Sequence, residues 1–335
     1  MSALLDPGRL DALLAAAATL RIGVLGDFAL DAYWTVDMRQ SELSRETPLP
    51  NRPVVEESLG PGGAAHVARS IRRLGPEVSA HTVIGKDWRG DLLAEQLTRA
   101  GIADRGVVRS AGFNTVLFAK VVLTAENRRQ EDARLDFVNQ QPPPPAEQRA
   151  MLDELAAALG TLDALVVSDY QQCGVVTPGV STWLREVRAQ NPTLLVLADS
   201  RERIGDYADT VCTPNRQELA AYLEDPADDC VDALLKTLSA QRTTDIPWFV
   251  TLDVHGCAVV TSDAVDVIPT VRIDGGDPVG AGDAFLAGLA TALAAGAAPR
   301  EAACFANLAA AATVTQVGTT GEPDAELMRS LNVRT

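Results

Sequence analysis

The chain is short of the residues from which metal centres, disulfide frameworks and nucleic-acid surfaces are built. Its 335 residues include three histidines. His66, His81 and His255 stand too far apart for any zinc-ligand spacing. The five cysteines (Cys173, Cys212, Cys230, Cys257 and Cys304) are odd in number, dispersed and without a C-x-x-C pair. That pattern fits reduced thiols of a cytoplasmic protein and excludes a disulfide scaffold or a zinc knuckle. Lys and Arg number 29 against 45 Asp and Glu, for a net charge of −16. Such a balance excludes a nucleic-acid partner, which requires basic patches.

Long apolar runs are also missing. The Ala- and Leu-rich stretch from Ala284 to Ala298 is too short to span a bilayer. The first twenty residues carry Asp6 and Asp11 and do not resemble a signal peptide, so no membrane partner is expected. No Gly-x-Gly-x-x-Gly follows the first strand-like segment, which sets a nicotinamide oxidoreductase last. Gly85-Lys86-Asp87 is not a Walker A end, because Asp87 stands where Ser or Thr is needed.

What is present is an alternation of helix and strand patterns. An apolar fraction of 47% and a charged fraction of 22% are ordinary for a globular chain. A helical pattern over 9–20 precedes the apolar run Arg21–Asp27, whose lack of alternation predicts a strand buried on both faces. From 146 onward, helices over 146–159, 178–190, 215–223 and 229–240 alternate with strands near 164–168, 193–198, 210–213 and 248–252. Such alternation predicts βαβ units and a mainly parallel sheet covered on both faces. Segments 32–58 and 112–140 break the rhythm. They predict a small separate β sheet, with a charged hairpin loop over Glu126–Asp132 and a polyproline spacer, Pro142–Pro145, leading back to the body. The chain reads as one domain, 1–335, with that appendage.

The chemistry concentrates in Asp277-Pro-Val-Gly-Ala-Gly-Asp283 and the helix it opens. Gly280, Ala281 and Gly282 let backbone N–H groups approach a ligand, and a helix start favours an anion. Asp283 at that start suits proton abstraction from a hydroxyl attacking a phosphate. Asp27 and Asp31, at and beyond the carboxyl end of the first strand, are candidate ligands for sugar hydroxyls. Asn215 and Glu218 have the spacing of a helix capping box. Arg45 and Arg134 could grip a substrate phosphate bidentately, although a lone Arg is more often solvated surface.

In this order the motifs resemble those of the ribokinase-like (PfkB) carbohydrate kinases. Within that family they are most similar to the kinase domain of the bacterial heptose-7-phosphate kinase/adenylyltransferases, by Gly26–Asp31, Gly62-Gly63-Ala64-Ala65, Val167–Tyr170 and Arg134–Asp136. The resemblance covers roughly residues 20–330 and implies a three-layer α/β fold with a small β lid. It implies an ATP- and Mg²⁺-dependent sugar or sugar-phosphate kinase, with Asp283 as base and Gly280, Ala281 and Gly282 as the anion turn. Gly62, Gly63 and His66 fall at substrate positions, although relatives usually carry Asn where His66 stands. Asn215, Glu218, Thr251, Gly256 and Asn307 fall on the nucleotide side, with Asp253 where Gly is usual. Glu218 is implied as the Mg²⁺ contact through water, and Asp277 as neighbour to a K⁺ position. The resemblance further implies a homodimer clasped through the lid. A sugar- or nucleotide-binding sensor that has lost catalysis is the alternative from another class.

Overall fold

The computed structural model describes residues 3–126, 128–224, 230–316 and 320–333. Helix α1 (Pro7–Ala17) leads into β1 (Arg21–Gly26), and β2 (Phe28–Asp37) follows one residue later. Then come β3 (Val54–Gly63), α2 (Ala64–Arg73), β4 (Glu77–Gly85), α3 (Trp88–Arg99), β5 (Ala103–Ser110), β6 (Val116–Ala125) and β7 (Arg128–Phe137). The second half runs α4 (Pro145–Ala158), β8 (Ala164–Asp169), α5 (Pro178–Gln190), β9 (Leu195–Ser200), β10 (Val211–Cys212), α6 (Arg216–Tyr222) and α7 (Val231–Gln241). It closes with β11 (Trp248–Thr251), β12 (Cys257–Val260), β13 (Val265–Ile268), α8 (Ala281–Ala294), α9 (Pro299–Val314) and α10 (Ala325–Asn332).

Six strands form the central sheet in the order β10-β9-β8-β1-β4-β5, every pairing parallel. β11, β12 and β13 form a separate antiparallel ribbon. A parallel bridge between Asn215 and Thr251 joins it to the body. Alternate residues of the strands feed two cores, one on each face. Ile22, Val24 and Val166 pack with α1, α2, α8 and α9, whereas Leu25, Leu165 and Val167 pack with α4, α5 and α7. This division is the three-layer α/β arrangement expected of strands buried on both sides.

The four-stranded lid sheet has the order β3-β2-β6-β7. β2 and β3 run past the expected segment 32–58, to Phe28 and Gly63, whereas β6 and β7 lie within 112–140. β2 starts almost directly from β1, so Asp31 lies in a lid strand rather than in a loop. The charged stretch expected as a hairpin loop is mostly β7 itself, paired with β6 from Arg128 onward. The polyproline run gives up its last residue to α4, where Pro145 sits at the first helical position.

Candidate active site

Two clefts meet at the N-terminus of α8. The first, about 370 Å³, lies between the lid and the carboxyl ends of β1, β8 and β9 and is lined by Asp27, Asp31, Gly63, Lys120, Arg134, Tyr170, Arg201, Gly280 and Asp283. The second, about 560 Å³, is lined by Thr251, Asp253, Gly256, Ala281, Gly282, Phe285, Asn307, Ala310 and Ala311. Asp199, Asn215 and Glu218 belong to both walls. The sites thus sit where an open α/β sheet binds ligands, beyond the strand ends.

Beside the first cleft the paired glycines make room. A Cβ on Gly62 would stand 2.5 Å from Asp31 Oδ1. Gly63 has φ +54° and a Cβ there would stand 2.6 Å from the Asp27 carbonyl oxygen, so only glycine fits the junction of β3 and α2. Asp27 is buried, and its carboxylate accepts from the backbone N–H groups of Tyr170, Gln171 and Val175 at 2.7–2.9 Å. It therefore fixes the loop that carries Tyr170. Burial pushes its carboxyl up to about 6, against the pull of those three donors. Asp31 accepts from Thr320 Oγ1 at 3.2 Å. Burial first, and then the charge of Asp283, push it up to about 6.

At the turn, Gly280 has φ +80° and caps α8, with Ala281 to Ala294 following. A Cβ on Gly280 would stand 2.6 Å from the His66 ring. The Ala281 N–H donates to the Pro278 carbonyl within the turn, and Asp277 accepts from the Val279 N–H. Asp283 follows, its side chain 21% exposed. Tyr170 Oη lies 2.9 Å from Asp283 Oδ1 and 3.0 Å from Asp199 Oδ2. A hydroxyl has one proton, so one of these contacts must be filled by a carboxyl proton. Asp199 supplies it, because burial and the charges of Glu218 and Asp283 push its carboxyl well above the usual range. Burial and its neighbours Asp199 and Asp283 hold the Tyr170 hydroxyl well above its ordinary pKa, so it stays a donor to Asp283.

On the wall of the second cleft the capping box is formed in both directions. Asn215 Oδ1 accepts from the Glu218 N–H at 2.9 Å, and Glu218 Oε2 accepts from the Asn215 N–H at 2.8 Å. Burial raises the Glu218 carboxyl. The Thr251 N–H donates to the Pro214 carbonyl, which ties the ribbon to this helix start. Gly256 approaches the Ile268 carbonyl so closely that a Cβ would stand 2.1 Å away. Asp253 adopts φ +51°, which accounts for the glycine usual there. Asn307 is buried and donates to the Ile268 and Pro269 carbonyls, bracing the cleft wall. Among the described residues no three His, Cys, Asp or Glu are grouped to hold an ion. One carboxylate, Glu218, on the wall common to both clefts still suits Mg²⁺ held through water.

Two expected residues are placed differently from the rest. Arg45 is exposed in the β2–β3 connection and lines neither cleft. His66 is fully buried behind the turn, with its ring nitrogens on Asp283 and on the Gly321 carbonyl. Sequence reading missed Tyr170, Asp199, Lys120 and Arg201 as members of the site. Asp199 carried the one usable signal, an acidic residue at the carboxyl end of a buried strand, as at Asp27. Gly318, expected to close the last helix, lies outside the described residues.

The fold is shared with sugar kinases of known structure. Phosphofructokinase-2 from Escherichia coli in complex with fructose-6-phosphate aligns with a TM-score of 0.74 at 18% identity, covering 94% of this chain and 99% of that one. Ribokinase from Thermotoga maritima aligns with a TM-score of 0.67 at 22% identity, covering 94% and 100%. The fold is ribokinase-like. The sequence pattern of the pfkB family of carbohydrate kinases matches residues 30–325, and the chain belongs to that family of ATP-dependent carbohydrate kinases. Among curated relatives, the bifunctional protein HldE of Shewanella piezotolerans is 31% identical over 315 residues, covering 93% of this chain. That of Pelobacter propionicus is 31% identical over 313 residues, covering 92%. The chain spans 63% and 62% of the length of these two relatives.

Proposed function

We propose that the protein transfers the γ-phosphoryl group of ATP to a hydroxyl of a sugar or sugar phosphate, with Asp283 as the base. The observation that carries this reading is the position of the α8 N-terminus between two clefts that share Asp199, Asn215 and Glu218. A nucleotide in one and an acceptor in the other would meet at Asp283. Asp283 would take the proton of the acceptor hydroxyl as its oxygen attacks phosphorus. The N–H groups of Gly280 and Gly282 would meet the charge on the transferred group, since that of Ala281 is engaged in the turn. Asp31 and the Gly62-Gly63 backbone would position the acceptor, while Asp27 would act through the Tyr170 loop. Glu218 would hold Mg²⁺ through its water shell, and the ion supplies charge neutralisation at the phosphates when bound. Asp277 would border a K⁺ position.

An acceptor that already carries a phosphate, such as a heptose phosphate, is the finer reading. Lys120, Arg134 and Arg201 on the acceptor cleft support it, as does the relation to HldE. Arg134 is paired with Asp136 and stacked 5.3 Å over Phe118, so its guanidinium is held at the lid side of the cleft. The lid also exposes Val54, Val55, Leu135 and Phe137, which supports a homodimer joined through it. A monomer in solution at micromolar concentration would count against the dimer. A cytoplasmic site of action completes the reading. No helix among the described residues is long and apolar enough to cross a membrane.

The test is an ATP-consumption screen over sugars, sugar phosphates and nucleosides, with Asp283→Asn as control. Turnover on one acceptor class, lost in the variant while nucleotide binding persists, is expected. Nucleotide binding without transfer to any acceptor would favour the sensor instead.

A further inference from the structure

The contact between His66 and Asp283 carries a consequence for the base itself. His66 Nε2 lies 2.7 Å from the Gly321 carbonyl oxygen. A carbonyl only accepts, so Nε2 must bear a hydrogen. The other nitrogen, Nδ1, lies 3.1 Å from Asp283 Oδ2. A neutral imidazole with its hydrogen on Nε2 would turn a lone pair toward a carboxylate oxygen. The contact is satisfied only if a proton lies between the two, either as imidazolium against carboxylate or as neutral imidazole against carboxylic acid.

The surroundings favour the ion pair. Asp31 faces the ring from β2, and Asp283 faces it from α8. Asp283 in turn faces Asp31, Asp199 and Tyr170. Glu218 acts on Asp199, with Arg201 opposing it, and Lys120 acts on Asp31. Burial disfavours charge on His66. The hydrogen bond and charge of Asp283, the Gly321 carbonyl and the charge of Asp31 outweigh it and raise the ring above its ordinary value. The ring is also held in place. Glu322, the neighbour of the accepting carbonyl, pairs with Arg69 and Arg73, which lie on the same helix as His66. Gly280 leaves the space that the ring occupies.

We propose that His66 is a positioning residue that keeps a proton against Asp283 Oδ2, holding the carboxylate aimed and charged as a base among its acidic neighbours. With Tyr170 donating to Oδ1, both oxygens of Asp283 are oriented, and a lone pair remains for the acceptor hydroxyl. The inference rests on Asp283 being the base, and its test separates the two.

The first measurement is ¹⁵N NMR of histidine-labelled protein at pH 7, in which three rings have to be resolved. His66 is expected with both nitrogens protonated in the wild type, and as the neutral Nε2–H form in Asp283→Asn. A neutral His66 in the wild type overturns the proposal, and this measurement needs no substitution at the buried ring. The second is the pH profile of kcat for His66→Asn and His66→Gln. The acid limb is expected to move to higher pH by about 1 unit or more, with kcat reduced at pH 7 and KM for ATP within about twofold. A profile superimposable on the wild type overturns the proposal. Full activity in Asp283→Asn would overturn the base assignment instead, whatever the state of the His66 ring.

Discussion

Tyr170 stands between Asp199 and Asp283, its hydroxyl oxygen 3.0 Å from one carboxylate and 2.9 Å from the other. Asp283 is thereby tied to the carboxyl ends of β8 and β9 as well as to its own helix. Replacing Tyr170 by Phe keeps the ring and removes the donor. A hydrogen bond to a charged group is worth about 1.5–3 kcal/mol, so kcat should fall about 10- to 100-fold. KM for ATP should stay near the wild-type value, because Tyr170 lines only the acceptor cleft. Steady-state kinetics with both substrates varied checks this.

Asp31 is a liability to the fold that the site retains. Its folded-state carboxyl titrates near 6, above the ordinary carboxylate value of 3.8. Between these values the unfolded chain loses its proton first, so this group lowers stability as pH rises from about 4 to 6, and the loss persists above that. Asp31→Asn should stabilise the protein by up to about 3 kcal/mol at pH 7. The gain should vanish below pH 4. Thermal melts across that range test the sign, and acceptor affinity should drop in the same variant.

Arg134 and Arg45 were equivalent on paper and are not in space. Arg134→Ala should raise KM for a phosphorylated acceptor about tenfold or more, by loss of a charge-assisted contact, and Lys120→Ala should act in the same direction. Neither should affect an unphosphorylated acceptor to the same degree. Arg45→Ala should be neutral in the same assay. Equal effects of Arg45→Ala and Arg134→Ala would contradict the placement of the phosphate.

Gly63→Ala forces a Cβ toward the Asp27 carbonyl at a positive φ. The backbone cost is about 1–3 kcal/mol, and relief would shift the loop held by Asp27. A lower melting temperature together with a raised acceptor KM is expected. Gly60→Ala, where an added Cβ would meet nothing within 4 Å, serves as the control.

The parts of the site that were readable in the chain are those whose members lie close in sequence. Gly280 to Asp283 and Asn215 with Glu218 each occupy one turn, and local geometry alone determines them. His66 could be read as a hydrogen-bonded histidine, but its partner lies 217 residues away and only the packing of α2 on α8 brings them together. Lys120 and Arg134 illustrate the same limit, since a cation facing a cleft and one facing solvent have the same neighbours in sequence. The body strands were legible because burial on both faces demands unbroken apolar runs. The first half of β7 was not, because an exposed strand at the edge of a sheet needs no apolar alternation, and its charges up to Asp132 looked like a loop. β5, β13 and α10 escaped the pattern, β13 because it has only four residues and β5 because Asp104, Arg105 and Arg109 interrupt its apolar positions.

The run from β3 into α2 has no intervening loop. A lid strand becomes a body helix at Gly63, and three residues later that helix supplies the ring that touches Asp283. On this side of the molecule the lid sheet and the Asp283 carboxylate are therefore two arms of one lever, with its fulcrum against the Asp27 carbonyl. A rotation of β3 cannot be absorbed in slack chain before it reaches α2. An acceptor that draws the lid down would reset the seat of the base in the same movement, which couples the readiness for proton transfer to the presence of something to phosphorylate.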